Sequence, residues 1–310
     1  MDLKLRFLRI HFVKIGIMAL NLLFGNRLAY WFAGWFFKNI LGNSVQSVFL
    51  LYPANPKYAA AYVYDWYRRQ MKWKPRLVGI IVQYGKFKPY FGISASDEDI
   101  WADAAAGGHN LAVVLGRMDS IRRLLRAEYA TYAGIIPGVS LKLGLIKSSI
   151  ECDTTVAGVI QAIEKVKRSE NLPDDVKLVI LGGKGFIGRR LVDELRSLGN
   201  ETYSVDLKDD WPEAVSQPVI VVNVSKGGAI ADYIPALRPG TVIINEVYPE
   251  PRAKELAAIK EREAICYHVK GAPGWAWRRF PGAYENVIPL CASHIPKNNG
   301  YKFEAVVEKL

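Results

Sequence analysis

The stretch KLVILGGKGFIGRRL, residues 177–191, constrains this chain more than any other. A short apolar run leads into closely spaced glycines, and an amphipathic run follows. The pattern predicts a buried strand, a tight turn and a helix. Residues 183–188, GKGFIG, match the G-x-G-x-x-G spacing by which main-chain amides at a helix start meet a pyrophosphate. In that pattern Gly183 permits the sharp turn, Gly185 lets the backbone approach the phosphates, and Gly188 lets the helix pack tightly on the strand. Phe186 and Ile187 open the helix, with free N–H groups and the positive end of its dipole. The plainer alternative is a turn whose glycines serve packing alone.

Asp206 closes the next strand, TYSVD. A carboxylate there accepts hydrogen bonds from ribose hydroxyls and repels a 2′-phosphate. The expected cofactor is NAD or NADP, with NAD favoured by Asp206; Arg189 and Lys208 nearby keep NADP open. Two further loops leave strand ends beside this turn, NVSKGGAI and NEVYPEP. Asn223, Ser225 and Gly227 of the first are placed to edge the nicotinamide, or are ordinary loop residues.

Around this unit strands and helices alternate, which argues for a largely parallel, covered sheet. KLVIL, TYSVD, PVIVVNV, TVIINEV and CYHVKG read as five strands, with helices over 186–198, 230–237 and 252–264. Upstream, SVQSVFLLYP, RLVGIIVQYG, KPYFGISA and HNLAVVLGR read as strands. PKYAAAYVYDWYRRQM, MDSIRRLLRAEYATYAG and DTTVAGVIQAIEKVKRSE read as helices, the last capped by Asp153 or Thr154, and GIIPGVSLKLGLI as strand and loop. The expected fold class is α/β: a Rossmann-type doubly wound parallel-sheet domain, a second α/β domain and an N-terminal amphipathic helical arm. The boundaries fall at 1–43 for the arm, 44–150 for the second α/β domain, 151–275 for the dinucleotide domain and 276–310 for a C-terminal helix returning to the first domain.

The net charge of +11 favours anionic partners. No nucleic-acid-binding motif accompanies it, so nucleic acid is not an expected partner. Much of the charge lies in the first 43 residues, where Lys4, Arg6, Arg9, Lys14, Arg27 and Lys38 face the single acid Asp2. The uncharged pieces 15–26 and 28–37 are each shorter than the roughly 20 residues of a spanning helix. Tyr30, Trp31 and Trp35 favour a lipid–water boundary. The segment reads as one or two helices in a membrane interface, with a spanning anchor or a dimerisation arm as alternatives. The run RRQMKWKPR offers a docking site for headgroups or an acidic carrier, or a solvated basic helix end. Three cysteines do not form a disulfide framework, which points to a reducing compartment. The expected location is cytoplasmic and peripherally membrane-associated.

Cys291, in NVIPLCASHI, is the candidate nucleophile; a thiol attacks a thioester to form an acyl-enzyme. On a helix His294 would share its face and lower its pKa. A cysteine among apolar residues also reads as inert core. Cys152 has the acid Asp153 beside it, and Cys266 falls in a strand. The four histidines show no metal-ligand spacing, so no metal site is expected.

The segments ECDTTVAGVIQAIEKV, LGGKGFIGRRL and NVSKGGAIADYIPALRPGTVIINEVYPEP resemble the nucleotide domain of the shikimate, methylenetetrahydrofolate and amino-acid dehydrogenases. The order of elements over roughly 45–295 is similar to the long-chain acyl-carrier-protein reductases, which make fatty aldehydes. SVFLLYP, HNLAVVLGRMDSIRRLLRAEYA, GIIPGVS, LGGKGFIG and Cys291 occupy the matching places. The chain departs from that family where PGVSLKLG replaces a glycine- and serine-rich loop, around Cys291, and in its basic N-terminal segment. The resemblance implies NAD(P)-dependent reduction of an acyl thioester, on an acyl carrier protein or coenzyme A, through Cys291. Left open beside it are a dehydrogenase of small polar substrates without a covalent intermediate, a non-enzymatic nucleotide-binding protein, and a homo-oligomeric state.

Overall fold

The computed structural model describes residues 3–42, 45–53, 63–206, 209–213, 215, 219–280, 284, 286–296 and 300–310. The chain is mixed α/β, with two sheets that each combine parallel and antiparallel pairs. By its contacts it divides into two compact units, Met1–Glu151 with Gly274–Arg279, and Cys152–Pro273 with Phe280–Leu310.

The first unit opens with α1 (Leu3–Phe24) and α2 (Arg27–Asn39). Its sheet takes β1 (Ser47–Leu51), β2 (Arg76–Gln83), β3 (Lys86–Gly92), β4 (Tyr129–Tyr132) and β10 (Trp275–Trp277), in the order β10-β2-β3-β1-β4. Tyr84 and Gly85 both have positive φ, the geometry of a two-residue hairpin turn whose twist matches the flanking strands. Short helices α3 (Asp65–Gln70), α4 (Asp97–Ala105) and α6 (Ile136–Lys142) flank the longer α5 (His109–Leu125). Gly108 caps α5 without a side chain, so the Asp103 carboxylate does this instead, accepting from the Leu111 N–H at 2.8 Å and the Asn110 N–H at 3.2 Å.

Helix α5 corrects the expected strand over HNLAVVLGR. Leu111, Val114, Leu115, Met118, Ile121 and Leu125 are its buried residues. Their three- and four-residue spacing is helical, and a β-branched pair within a short apolar run hid it. The strand lies further on, as β4, within the run read as helix. GIIPGVSLKLGLI is likewise helical at 136–142, where Pro137 sits in the first turn, its missing N–H costing nothing there. Of the helix expected in PKYAAAYVYDWYRRQM, Asp65–Gln70 is observed, and 56–62 lie outside the described residues.

The second unit contains α7 (Ile150–Ser169, from Cys152 onward), α8 (Phe186–Ser197) and α9 (Ala253–Glu261). Its strands are β5 (Lys177–Leu181), β6 (Thr202–Val205), β7 (Val219–Asn223), β8 (Val242–Asn245) and β9 (Ile265–Pro273). They run parallel in the order β6-β5-β7-β8-β9. β11 (Val287–Ile288) and β12 (Val306–Lys309) pair antiparallel with β9. Alternate strand residues feed opposite cores. Leu178, Ile180, Ile220 and Val222 pack with Val159 and Ile163 of α7 and Leu191 of α8. Val179, Leu181, Val219 and Val221 pack with Ile230 and with Ile259 of α9. Covering both faces is why these strands are apolar throughout rather than alternating. Each fully buried Val, Leu or Ile contributes about 1.5–3 kcal/mol.

Three expectations in this unit fall to local chemistry. α7 begins at Ile150, so Asp153 and Thr154 lie inside it instead of capping it. The helix expected over 230–237 is two 3-10 turns, Ala229–Asp232 and Ile234–Ala236, the second opened by Pro235. Among its described residues the C-terminal stretch forms no α-helix: strand β11 and a 3-10 turn, Leu290–Ala292, stand in its place, followed by β12 on the edge of this unit's own sheet. Pro289 and Pro296 bracket the segment, and neither supplies the N–H that a continuing helix needs.

Candidate functional site

The site is built on the carboxyl ends of the parallel strands. Leu181, Val205, Asn223, Asn245 and His268 are joined by the register, Leu181 to Val205 and Asn223, then Asn223 to Asn245 and Asn245 to His268. Chain order along the sheet reverses between β5 and β7, with β6 on one side and β8 on the other.

After β5, Gly182 carries a φ of +85°, a left-handed conformation that favours glycine. The turn therefore depends on Gly182 as well as on Gly183, which the spacing alone had singled out. A Cβ on Gly182 would stand 2.7 Å from Ser225 Cα, so the loops after β5 and β7 lie against each other. A Cβ on Gly183 would strike the Ser204 hydroxyl. At Gly188 it would lie 2.7 Å from the Gly182 carbonyl carbon and 2.8 Å from Gly183 Cα, so α8 sits directly on the turn. Gly185 is the N-cap of α8, and its Cβ would meet only Gly182 O, at 3.0 Å. Among the described residues the N–H groups of Phe186, Ile187 and Gly188 donate to no backbone carbonyl. Helix geometry leaves them open.

Asp206 follows β6 directly, and the Gly182 N–H donates to Val205 O at 2.8 Å, tying the turn to that strand end. Asp209 accepts from the Asp206 N–H at 2.9 Å and from the Lys184 ammonium at 2.7 Å. The Lys184 ammonium, then the Asp206 N–H, hold the Asp209 carboxyl below its ordinary value. Lys208 lies outside the described residues. Glycines at the turn, open amides at the helix start and a carboxylate-bearing residue at the next strand end fit a dinucleotide.

Beyond the turn runs a buried polar row that sequence reasoning reached only at Asn223. Asn223 Nδ2 donates to Asn245 Oδ1 at 2.8 Å, and the Ser225 N–H donates to Asn223 Oδ1 at 3.2 Å. Asn245 Nδ2 donates to Val247 O at 2.6 Å and lies 3.1 Å from His268 Nδ1. His268 Nδ1 is also 2.9 Å from Asn245 O. Fully buried, His268 leaves Nε2 without a hydrogen bond, 3.9 Å from Glu250. Burial holds the imidazole below its ordinary pKa, against the raising effect of Glu250. The signal was present in the sequence, since the third and fourth strand runs each end in asparagine, VIVVN and TVIIN.

Gly227 lies against the second loop, its Cβ position 3.1 Å from Pro249. Glu246 begins that loop, and its N–H donates to Asn223 O at 3.0 Å. Burial pushes its carboxyl up to about 8. Tyr284 stacks at a tilt on Tyr248, with ring centroids 5.4 Å apart. Burial, then the neighbouring groups Cys291, Glu246, Tyr248 and Glu250, push the Tyr284 hydroxyl well above its ordinary value. Cys291 thus shares a neighbourhood with acids and tyrosines. It is half-buried on the 3-10 turn, whereas Cys152 and Cys266 are buried, the latter thiol pushed up to about 12 by burial. The chain is extended at Ser293, with ψ of 177°, so the helical spacing expected to bring His294 over Cys291 is not there. His294 is buried.

Among the described residues no group of three or more His, Cys, Asp or Glu side chains is placed to hold a metal ion. No protein-family model matches the chain, and no curated protein matches it significantly.

Proposed function

We propose that the second unit is a Rossmann-type nucleotide domain and that the protein is a nicotinamide-dependent oxidoreductase. One observation carries this reading: the reversal of strand order, the glycine turn and the start of α8 meet at one strand end. Phe186, Ile187 and Gly188 would donate to the pyrophosphate, with Gly185 clearing its approach. Asp206 would take the ribose, which favours NAD over NADP. Asn223, Ser225 and Gly227 would edge the nicotinamide. When bound, the reduced cofactor supplies a hydride.

The reaction that the residues support best is reduction of an acyl thioester to an aldehyde. Cys291, the one partly accessible thiol of the three, attacks the thioester carbonyl and expels the carrier thiol. Cys291 would hold the acyl group for that reduction and leave as the thiolate when its C–S bond breaks, releasing the aldehyde. Glu246, its carboxyl pushed up by burial, lies in the same neighbourhood and would supply the proton for the departing carrier thiolate. The resemblance of LGGKGFIG and the C-terminal cysteine to the acyl-carrier-protein reductases supports an acyl thioester carried by acyl carrier protein or coenzyme A. The test is mass spectrometry of the purified protein after incubation with acyl thioesters. An acyl adduct on Cys291, lost in Cys291→Ala, is the expected result.

A second reading follows from His268. An imidazole fixed at Nδ1 whose buried Nε2 makes no hydrogen bond would serve as a general acid–base, and it suits a dehydrogenase that forms no covalent intermediate. Near-normal turnover in Cys291→Ala selects this reading over the first.

A further inference from the structure

Helices α1 and α2 meet at an 82° bend. Asn26 makes the corner, its side-chain oxygen accepting from the Ala29 N–H at 2.9 Å. The inner face of each helix is committed to the first unit. Asn21 donates to Leu77 O at 2.7 Å and accepts from the Leu77 N–H at 2.9 Å, pairing with β2 as a strand would. Tyr30 packs edge-on against Phe91, and Gly34 brings α2 onto the Leu124 carbonyl at the end of α5. The outer faces carry large apolar side chains open to solvent, among them Phe12 at 69%, Leu22 at 84% and Leu28 at 74%, with Leu23, Trp31 and Phe32. A run of this extent is beyond the scattered apolar residues of an ordinary surface.

Charge identifies what covers it. Between residues 3 and 64 the sequence contains no Asp or Glu, while Arg27 and Lys38 are exposed on α2 and Lys14 of α1 holds its ammonium 4.9 Å from the Tyr64 ring centroid. Two copies pairing this patch symmetrically would bring like charges together with no acid in the segment to balance them. An anionic surface meets both the apolar face and the basic residues. No single helix among the described residues is long and apolar enough to cross a membrane; the two together are, by length and composition only, and as a pair bent by 82°. At 13 residues, α2 is about 20 Å long, short of a hydrocarbon core of about 30 Å. We propose that the outer face of the α1–α2 elbow seats in the headgroup region of an anionic phospholipid bilayer, with both helices lying in the membrane plane. Trp31 and Trp35 are the side chains suited to that boundary. The inference is independent of the nucleotide reading.

Flotation of the full-length protein tests it, with phosphatidylcholine vesicles and with vesicles that also contain phosphatidylglycerol. The expected result is partition to the anionic vesicles, weakened by salt. Leu28→Glu/Trp31→Glu/Phe32→Glu should weaken partition at least ten-fold with Tm and circular dichroism unchanged, because these side chains face solvent. Arg27→Glu/Lys38→Glu, both at exposed positions, should abolish the preference for anionic vesicles. Failure of the folded wild-type protein to partition overturns the proposal. So does a dimer, seen by light scattering, that the apolar-face substitutions dissociate while vesicles are ignored.

Discussion

Gly185→Ala separates a glycine turn that binds a ligand from one that merely packs. Gly185 has φ of −73° and ψ of 178°, which alanine adopts freely, and its Cβ would meet only Gly182 O at 3.0 Å. A shift of a few tenths of an ångström relieves that contact, so the stability cost stays below about 1 kcal/mol, the low end for overpacking. The same methyl stands where a pyrophosphate would approach the start of α8. A ten-fold loss of affinity corresponds to about 1.4 kcal/mol, and displacing a phosphate from open N–H groups exceeds that. Gly188→Ala is the contrasting variant, because its methyl collides with the backbone of Gly182 and Gly183. Overpacking of about 2 kcal/mol there lowers Tm by roughly 4–8 °C in a unit of this size. The assay pairs thermal unfolding with NADH titration for both variants. Gly185→Ala should keep its Tm within about 4 °C of wild type, at 2–4 °C per kcal/mol, and lose at least ten-fold in affinity. A folded Gly185→Ala protein that binds NADH as wild type does would refute the assignment of the turn.

The raised carboxyl of Glu246 makes stability depend on pH. Folded, it titrates near 8 against an ordinary 4.5, so its contribution is complete below pH 4.5 and is lost as pH rises through about 8. Thermal unfolding from pH 5 to 9 should show wild type falling relative to Glu246→Gln, and parallel curves would exclude a raised Glu246 carboxyl. Asn21→Ala removes both hydrogen bonds to Leu77 and leaves two backbone groups unpaired, a cost of about 1–3 kcal/mol. Limited proteolysis should then cut α1 faster, and an unchanged pattern would mean that α1 is not held there.

What could be read in advance followed from how local each signal is. The strand–turn–helix at 177–197 and the five apolar strands of the second unit were legible because sheet cores on both faces demand uninterrupted apolar runs. Gly183, Gly185 and Gly188 were legible by spacing, but Gly182 was not, since only the observed φ marks it as the left-handed residue. HNLAVVLGR misled because a β-branched pair within a helical stripe looks like a strand until the stripe is followed to Leu125. Nothing local in the sequence marks His268, because Asn223 and Asn245 come from other strands and register alone aligns the three. Cys291 was placed on a helix by apolar composition, where prolines and pairing with β9 impose strand and turn instead.

The most direct measurement is calorimetric titration of the intact protein with NADH and, separately, with NADPH. Saturable binding of one carrier to one site per chain, tighter for NADH because Asp206 opposes a 2′-phosphate, is the predicted outcome. Absence of saturable binding by either carrier, in protein whose unfolding remains cooperative, would contradict the account at its root.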